Sequence, residues 1–163
     1  MPQRDIPLSQ RGFGVPWLLL CAAFALHVWD QAVHDFLGYY NATVLNLYGD
    51  VSWFPRIDLT FRAWLSGLIV AIIVCTALTP FAFHNASWLR PLAYLFALIH
   101  FLNGVGYIIA QARGRTVSPV YFDGIAPGFY TAPLLLAAST YLFWRLRRIA
   151  HAKATVPSST TQR

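Results

Sequence analysis

Residues 27–35, with the sequence HVWDQAVHD, follow without a break the apolar run of residues 15–26, VPWLLLCAAFAL. The run is too hydrophobic for a surface helix of a soluble protein, yet its continuation holds two histidines and two aspartates. An ionised aspartate in a bilayer costs roughly 2.5–3.5 kcal/mol on insertion scales, so such a residue usually persists because it has a role. The stretch therefore predicts a membrane protein with a polar site inside the membrane.

The composition of the whole chain also favours a membrane protein. Of 163 residues, 57% are hydrophobic and 11% are charged, whereas ordinary soluble domains have about 25% charged residues. The formal net charge is +6, but the arginines lie mostly at the ends of apolar runs. This placement favours anionic lipid head groups, and no nucleic acid, as the partner. Cys21 and Cys75 lie in apolar runs without metal-ligand spacing, so we expect inert core thiols.

Four segments are each long enough to cross a bilayer, which takes about 20 helical residues. They predict an all-α fold, an integral membrane four-helix bundle over residues 16–147. We expect a cytoplasmic segment, residues 1–15, before it and a basic, disordered tail, residues 148–163, after it. The four segments are residues 16–36, 59–81, 91–111 and 127–146.

The basic residues predict the orientation of these spans. Four spans place the N-terminus, the second loop and the C-terminus on one side, and this side has the larger number of basic residues. By the positive-inside rule we expect a multi-pass inner-membrane protein with both termini in the cytoplasm. The richer side holds Arg4, Arg11, Arg90, Arg145, Arg147, Arg148, Lys153 and Arg163. A signal peptide is the alternative for the N-terminus, and its cleavage would leave three spans.

A polar stripe runs along the first predicted span. His27, Asp30, Gln31 and His34 are three, four and seven residues apart, so they share one helical face. Asp30 can accept a hydrogen bond from either histidine and fix its tautomer, and the same spacing allows joint metal ligation. A hydrogen-bonded strut between helices is the alternative. The expected depth of His27 and Asp30 in the span favours a functional role.

The third predicted span has a second stripe. His100, Asn103, Tyr107 and Gln111 recur at helical spacing, and His100 and Asn103 fall near the middle of the span. Hydrogen bonding between helices, typically worth under about 1 kcal/mol for each pair, is the alternative to a functional role. Glycines 104 and 106 would let another helix or a ligand approach the backbone closely.

The second and fourth spans contribute fewer polar groups. Asp58 and Arg62 stand four residues apart at the start of the second span. A local ion pair is the simpler interpretation, and a site for an anionic head group is the alternative. Tyr130 and Thr131 are neutral donors near the outer ends of the two polar stripes.

The order of these motifs resembles the bacterial HXXEE-domain family of small membrane proteins. That family is similar in a His-x-x-Glu-Glu motif, an Asn with a His four residues later, an Arg-rich loop and a Pro-Gly-x-x-Thr-Ala motif. The corresponding residues here are 27–31 (HVWDQ), 103–107 (NGVGY), 113–115 (RGR) and 127–132 (PGFYTA). The acidic pair is Asp30-Gln31 in this chain, and Tyr107 replaces the second histidine. If the family binds a metal, this chain lacks one carboxylate and one imidazole of the site.

A weaker similarity, in kind and not in motif, exists to the emopamil-binding and sterol-isomerase group. Those proteins are also small helical bundles with intramembrane histidine and acidic groups beside a lipophilic pocket. We accordingly expect a membrane enzyme, an isomerase or a cyclase-like lyase, that does acid–base chemistry on a lipophilic substrate by isomerisation, cyclisation or hydration. No serine or cysteine nucleophile pattern appears, which argues against covalent hydrolysis.

The expected roles divide the polar residues into two groups. His27, oriented by Asp30, is the expected base, and Asp30 is the acid in an alternative assignment. His100 and Asn103 would polarise or position the substrate. The expected substrate-binding residues are Trp29, Gln31, His34, Asp58, Arg62, Tyr107, Tyr130 and Thr131.

Two other functions remain open from the sequence. One is a non-enzymatic bundle that binds or transports a metal ion, a proton or an amphiphile, and it would need a homo-oligomer because four spans are few for a transporter. The other is a subunit whose polar stripes only specify helix packing. The sequence specifies neither a cofactor nor a metal.

Overall fold

The computed structural model describes residues 12–50, 53 and 59–154, and these are mostly helical. The predicted all-α class is therefore confirmed. The β-pairing within the described residues is one isolated bridge between Arg115 and Tyr121. In chain order the helices are α1 (Gly14–Val33), α2 (Phe36–Asp50), α3 (Phe61–Ala77), α4 (Thr79–Phe83), α5 (Leu89–Arg113) and α6 (Ala132–Ala154).

Three helical stretches of the described chain are long and apolar enough to cross a membrane. They are Gly14–Val33, Phe61–Phe83, which joins α3 and α4, and Leu89–Arg113. The sixth helix is as long as these, but Arg145, Arg147 and Arg148 lie in its second half. Its part before Arg145 is uncharged.

Between the first two predicted spans the structure has a further helix, α2, where the sequence predicted no helical segment. The first helix ends at Val33, before the predicted end at residue 36, since Asp35 turns the chain with φ +51°. Aspartate tolerates this left-handed conformation better than most residues. Asp35 Oδ1 then accepts a hydrogen bond from the Gly38 N–H at 3.3 Å. This is the contact by which an N-cap side chain starts a helix.

The fourth predicted segment, residues 127–146, differs at both ends from the helix in the structure. Pro127, the predicted start, lies in a turn, and the helix begins at Ala132 with Pro133 in its first turn, where proline is tolerated. At the other end, α6 continues to Ala154, so the predicted tail starts within a helix. The Arg148 guanidinium lies 4.5 Å from the centre of the Trp144 ring, a cation–π contact that supports this continuation. Residues 155–163 of the predicted tail lie outside the described residues.

Helix α1 is the centre of the packing. It packs against α6, α3 and α4, and α6 packs most extensively against α5. Trp17, fully buried in α1, donates from Nε1 to the Cys75 backbone oxygen of α3 at 2.9 Å. Where α5 meets α6, a Cβ on Gly104 would lie 2.8 Å from Leu136 Cγ, so glycine permits the close approach that the sequence predicts there. Cys21 and Cys75 are both free thiols.

Hydrogen bonds join different elements at each end of the molecule. At one end, Phe13 N donates to the Ala82 backbone oxygen at 3.0 Å, and Arg145 Nη2 donates to the Gly12 backbone oxygen at 3.3 Å. The start of α1, the short helix α4 and the second half of α6 therefore meet there. At the opposite end, α2 packs against residues 114–131, the connection between α5 and α6. The candidate site lies beneath this second end.

Candidate functional site

The polar stripe of α1 is buried where it faces the turn that leads into α6. His27 is 1% exposed, Asp30 3% and Gln31 6%. Because α1 ends at Val33, all three lie in its last two turns, nearer to the helix end than the sequence suggested. Their burial therefore comes from the connection that covers them and not from depth along the helix.

Thr131 joins His27 to Asp30. His27 Nδ1 lies 2.8 Å from Thr131 Oγ1, and that hydroxyl donates to Asp30 Oδ2 at 2.9 Å. The Thr131 backbone N–H donates to the same carboxylate oxygen at 3.1 Å. A threonine hydroxyl has one proton, so when it donates to Asp30, the imidazole must donate its Nδ1 proton to Oγ1. The network therefore assigns the tautomer and leaves the lone pair of His27 on Nε2.

Gly128 brings the backbone against the His27 ring. Its φ is +85°, and a Cβ at this position would lie 2.7 Å from His27 Cε1 and 3.3 Å from Nε2. Glycine is needed here for both reasons, since it adopts positive φ freely and has no Cβ. The Ala126 N–H donates to Gln111 Oε1 at 2.6 Å, which fixes the start of the turn.

Two polar atoms of the network are buried without a hydrogen bond to any described residue, namely His27 Nε2 and Asp30 Oδ1. His34 Nδ1 contacts the backbone oxygen of Asp30 at 2.8 Å and lies 2.8 Å from Oδ1 without hydrogen-bond geometry. An unsatisfied buried polar group costs about 1–3 kcal/mol. Such groups often mark a place where a ligand or a transferred proton acts. The free Nε2 is the atom from which His27 would accept a proton.

Tyr107 of α5 borders both this network and a neighbouring hollow. Its ring meets the His27 imidazole edge-on, with ring centroids 4.8 Å apart. Its hydroxyl accepts a hydrogen bond from Gln31 Nε2, which leaves the phenolic proton available to a second partner.

The hollow has a volume of about 260 Å³ and lies between α2, α5 and the connection to α6. Its wall is mostly carbon, and aromatic rings form much of it. The lining includes Phe36, Tyr39, Tyr40 and Phe122, together with Asn103 and Tyr107.

The structure brings six of the predicted site residues into one connected group. Contacts described above join His27, Asp30, Gln31, His34, Tyr107 and Thr131. Tyr130 is exposed, but its ring lies 5.5 Å from that of His34, at the edge of the group.

The other predicted residues lie elsewhere. His100 is buried between the rings of Phe24 and Phe96, at centroid distances of 4.5 and 4.6 Å, and its Nδ1 makes no hydrogen bond to another described residue. Asn103 is exposed and lines the hollow instead of the His27 network. Trp29 is 65% exposed on α1. Arg62 is exposed at the start of α3, and Asp58 lies outside the described residues.

Sequence reasoning missed Gly128 and the contribution of α2. The signal for Gly128 was the Pro-Gly pair three residues before Thr131. The signal for α2 was the spacing of Phe36, Tyr39, Tyr40 and Thr43, which share one helical face. All four line the hollow.

The predicted stripe does not form a conventional metal centre. No three His, Cys, Asp or Glu side chains within residues 12–50, 53 and 59–154 are grouped so that they could hold a metal ion.

No family model matches the chain, and neither a curated protein nor a solved structure is significantly similar to it. The resemblance to the HXXEE-domain family thus rests on the motifs alone. Two of those motifs are in contact here, because Gly128 and Thr131 of the PGFYTA segment touch His27 and Asp30 of the HVWDQ segment.

Proposed function

We propose that this protein is a membrane enzyme in which His27, Thr131 and Asp30 do acid–base chemistry on a lipophilic substrate. The observation that carries the proposal is the buried Nε2 of His27. This atom has no hydrogen-bond partner in the part of the chain that the structure describes, while Nδ1 is joined through the Thr131 hydroxyl to the Asp30 carboxylate. We also propose that the chain is a member of the HXXEE-domain family.

The proposed setting is the inner membrane, with four spans and both termini in the cytoplasm. The fourth span is α6, whose uncharged residues 132–144 extend about 20 Å at the helical rise per residue. Arg145 and the arginines after it can reach the interface with their long side chains. The contact of Arg145 with Gly12 supports this span, because it places the second half of α6 beside the start of α1.

The proposed base is His27. When Nε2 takes a proton from substrate, the positive charge that forms on the imidazole is stabilised through Nδ1–H, the Thr131 hydroxyl and the Asp30 carboxylate. Thr131 therefore takes the position that a carboxylate occupies next to histidine in simpler acid–base pairs. The network also fixes the ring orientation, so little reorganisation is needed when the proton moves.

The proposed acid is Tyr107. Its hydroxyl accepts from Gln31, and its own proton can go to the substrate. A base and an acid on neighbouring rings suit isomerisation, in which one carbon loses a proton to His27 and another gains the Tyr107 proton. Transfer of the proton from His27 to the Tyr107 oxygen then restores both groups. Since Gly128 and Tyr107 cover Nε2, the substrate would reach His27 from the hollow after the Tyr107 side chain rotates.

A second candidate is an amphiphile-binding protein without catalysis, and the hollow itself favours it. Proton or metal transport, which would need a homo-oligomer, has less support. The series of polar contacts from His34 through Asp30 and Thr131 ends at the buried Nε2 of His27. The next histidine, His100, is enclosed by two phenylalanine rings, so the series does not continue across the protein.

Proton transfer to carbon can be tested without a known substrate. Purified protein is incubated in D₂O with a neutral lipid extract, and deuterium in the lipids is followed by mass spectrometry. Wild type should label at least one lipid species, and His27→Ala and Thr131→Val should label it roughly 10²–10⁴-fold more slowly. Thr131→Ser keeps the hydroxyl and should retain most of the rate.

The matched control is His84→Ala. His84 is an exposed histidine at the end of α4, at the end of the molecule opposite the network, and its Nδ1 contacts the Pro80 backbone oxygen. This variant should label like wild type. Equal labelling by wild type and His27→Ala would contradict the proposal. Severe loss of thermal stability in His27→Ala, with labelling retained, would favour a helix-packing role.

A further inference from the structure

The hollow beside Tyr107 has the properties of a ligand site. Its volume of about 260 Å³ lies just below the range of small-molecule pockets, about 300–1,000 Å³. At the packing density of organic solids, such a space holds roughly a dozen non-hydrogen atoms. The described residues that line it include no charged side chain. A charged ligand would lose its hydration without compensation there, so the hollow favours a neutral molecule.

Two of the polar side chains that line the hollow lie on the α5 wall, and the hydroxyls of Tyr39, Tyr40, Thr43 and Thr116 line its other sides. Asn103 and Tyr107 are four residues apart on α5 and therefore on one face. The Asn103 amide makes no hydrogen bond within the described residues. It offers both a donor and an acceptor, and Tyr107 offers a donor. Together they can bind one oxygen atom, either a hydroxyl or a carbonyl.

Gly106, between these two residues, leaves space at the wall. A Cβ built there meets no atom within 4 Å, although Gly106 lines the hollow. A larger side chain at this position would extend into the hollow without displacing the backbone. Leu102 also lines the hollow and is strongly exposed, so the hollow opens along the outward face of α5, where lipid would lie.

We propose that the hollow binds a neutral, mainly apolar molecule of medium chain length that has a single hydroxyl or carbonyl oxygen, with that oxygen between Asn103 and Tyr107. If this molecule is the substrate of the acid–base site, the proposal rests on the proposed function. Binding of the molecule in the hollow does not depend on catalysis. Tyr107 connects the two, because its ring contacts the hollow on one side and His27 on the other.

A photoreactive decanol with a diazirine on its chain tests binding to the full chain in nanodiscs. Wild type should be labelled on peptides that contain Tyr39 or Phe122, and decanol should compete about tenfold better than decane because of one added hydrogen bond. Gly106→Leu should lose this labelling. The matched control is Gly67→Leu, the same change on α3, where a Cβ also meets nothing within 4 Å. It should be labelled like wild type.

Two results would overturn the inference. One is undiminished labelling of the same peptides in Gly106→Leu, and the other is labelling spread evenly over the exposed residues of α3. Asn103→Leu tests the hydrogen bond to the ligand oxygen separately from the volume of the hollow. This variant should lose the preference for decanol over decane, while labelling by the probe persists. An unchanged preference in that variant would contradict the role of Asn103.

Failure of the inference and failure of the proposed function are distinguishable. His27→Ala leaves the hollow intact, so it should bind the probe like wild type even though proton transfer is lost. Specific probe labelling without any His27-dependent deuterium transfer would support the ligand site and contradict the enzyme. Deuterium transfer that persists in Gly106→Leu, with probe labelling also unchanged, would contradict the ligand site alone.

Discussion

Gly128 shows how one residue without a side chain shapes the site. It holds the turn before α6 against the His27 imidazole with φ +85°. Thr131, three residues later, then reaches both His27 and Asp30. Three requirements meet in this short segment: a positive φ, a missing Cβ and a hydroxyl.

Replacement of Gly128 by alanine should reduce both stability and activity. The positive φ alone should cost roughly 1–2 kcal/mol for an L-residue, and the new Cβ should displace the His27 ring. Gly124→Ala is the matched control, because Gly124 has φ +102° and a Cβ there meets nothing within 4 Å. Both variants should lose thermal stability because of the positive φ, Gly128→Ala should lose more because of the contact with His27, and only Gly128→Ala should lose deuterium transfer. Equal activities would mean that the contact with His27 is unimportant.

At the scale of elements, α2 packs less extensively against the other helices than any other described helix does. Its buried residues are Leu37, Thr43 and Val44. Elements with few buried contacts open at the lowest free-energy cost. Side-chain contacts join α2 to the connection before α6, where Thr43 Oγ1 donates to Thr116 Oγ1 at 2.8 Å and the Tyr39 hydroxyl accepts from Asp123 N at 3.1 Å. Movement of α2 would therefore open the hollow.

A disulfide between α2 and this connection should slow access to the hollow. The double variant Thr43→Cys, Thr116→Cys places two thiols where the hydroxyls now touch, within the reach of a disulfide. Mild oxidation should form the bond and lower the rates of probe labelling and deuterium transfer several-fold, and a reductant should restore both. The single variant Thr43→Cys controls for a disulfide between the new thiol and Cys21 or Cys75. Unchanged rates in the oxidised double variant would show that α2 need not move.

At the scale of the whole molecule, the two ends differ in charge and in content. The end that joins the start of α1 to α4 and α6 contains Arg145, Arg147 and Arg148, whereas the opposite end contains Arg113 and Arg115 together with the hollow and the polar network. By the positive-inside rule, the arginine-rich end should face the cytoplasm. The site would then lie near the outer surface of the membrane.

Reporter fusions test this orientation. Alkaline phosphatase fused after Asp50 should be active, which reports a periplasmic position, and a fluorescent protein at the C-terminus should be bright, which reports the cytoplasm. A third fusion in the turn at residues 84–88 should also be cytoplasmic. A cytoplasmic turn with a periplasmic C-terminus would mean that α6 does not cross the membrane. Reversal of all three reporters would overturn the orientation and keep the four spans.

Much of the architecture was readable from the sequence, because hydropathy and length decide which segments become long apolar helices. The helices of residues 14–33, 61–83 and 89–113 were predicted within a few residues. Helical spacing also put His27, Asp30, Gln31 and His34 on one face, since that depends only on the helical repeat. The sequence also placed His100 and Tyr107 on the third span.

Only the tertiary structure decided which of these residues meet. Asp30 contacts Thr131, a hundred and one residues away, because a turn with a positive φ at Gly128 folds back onto α1. His100 and Asn103 share a helix with Tyr107, yet one packs between phenylalanines and the other lines the hollow. Helical periodicity fixes the face of each side chain, but the rotation of one helix against another depends on packing between distant segments. The same packing places the aromatic face of α2, a helix between the first two predicted spans, where it completes the hollow.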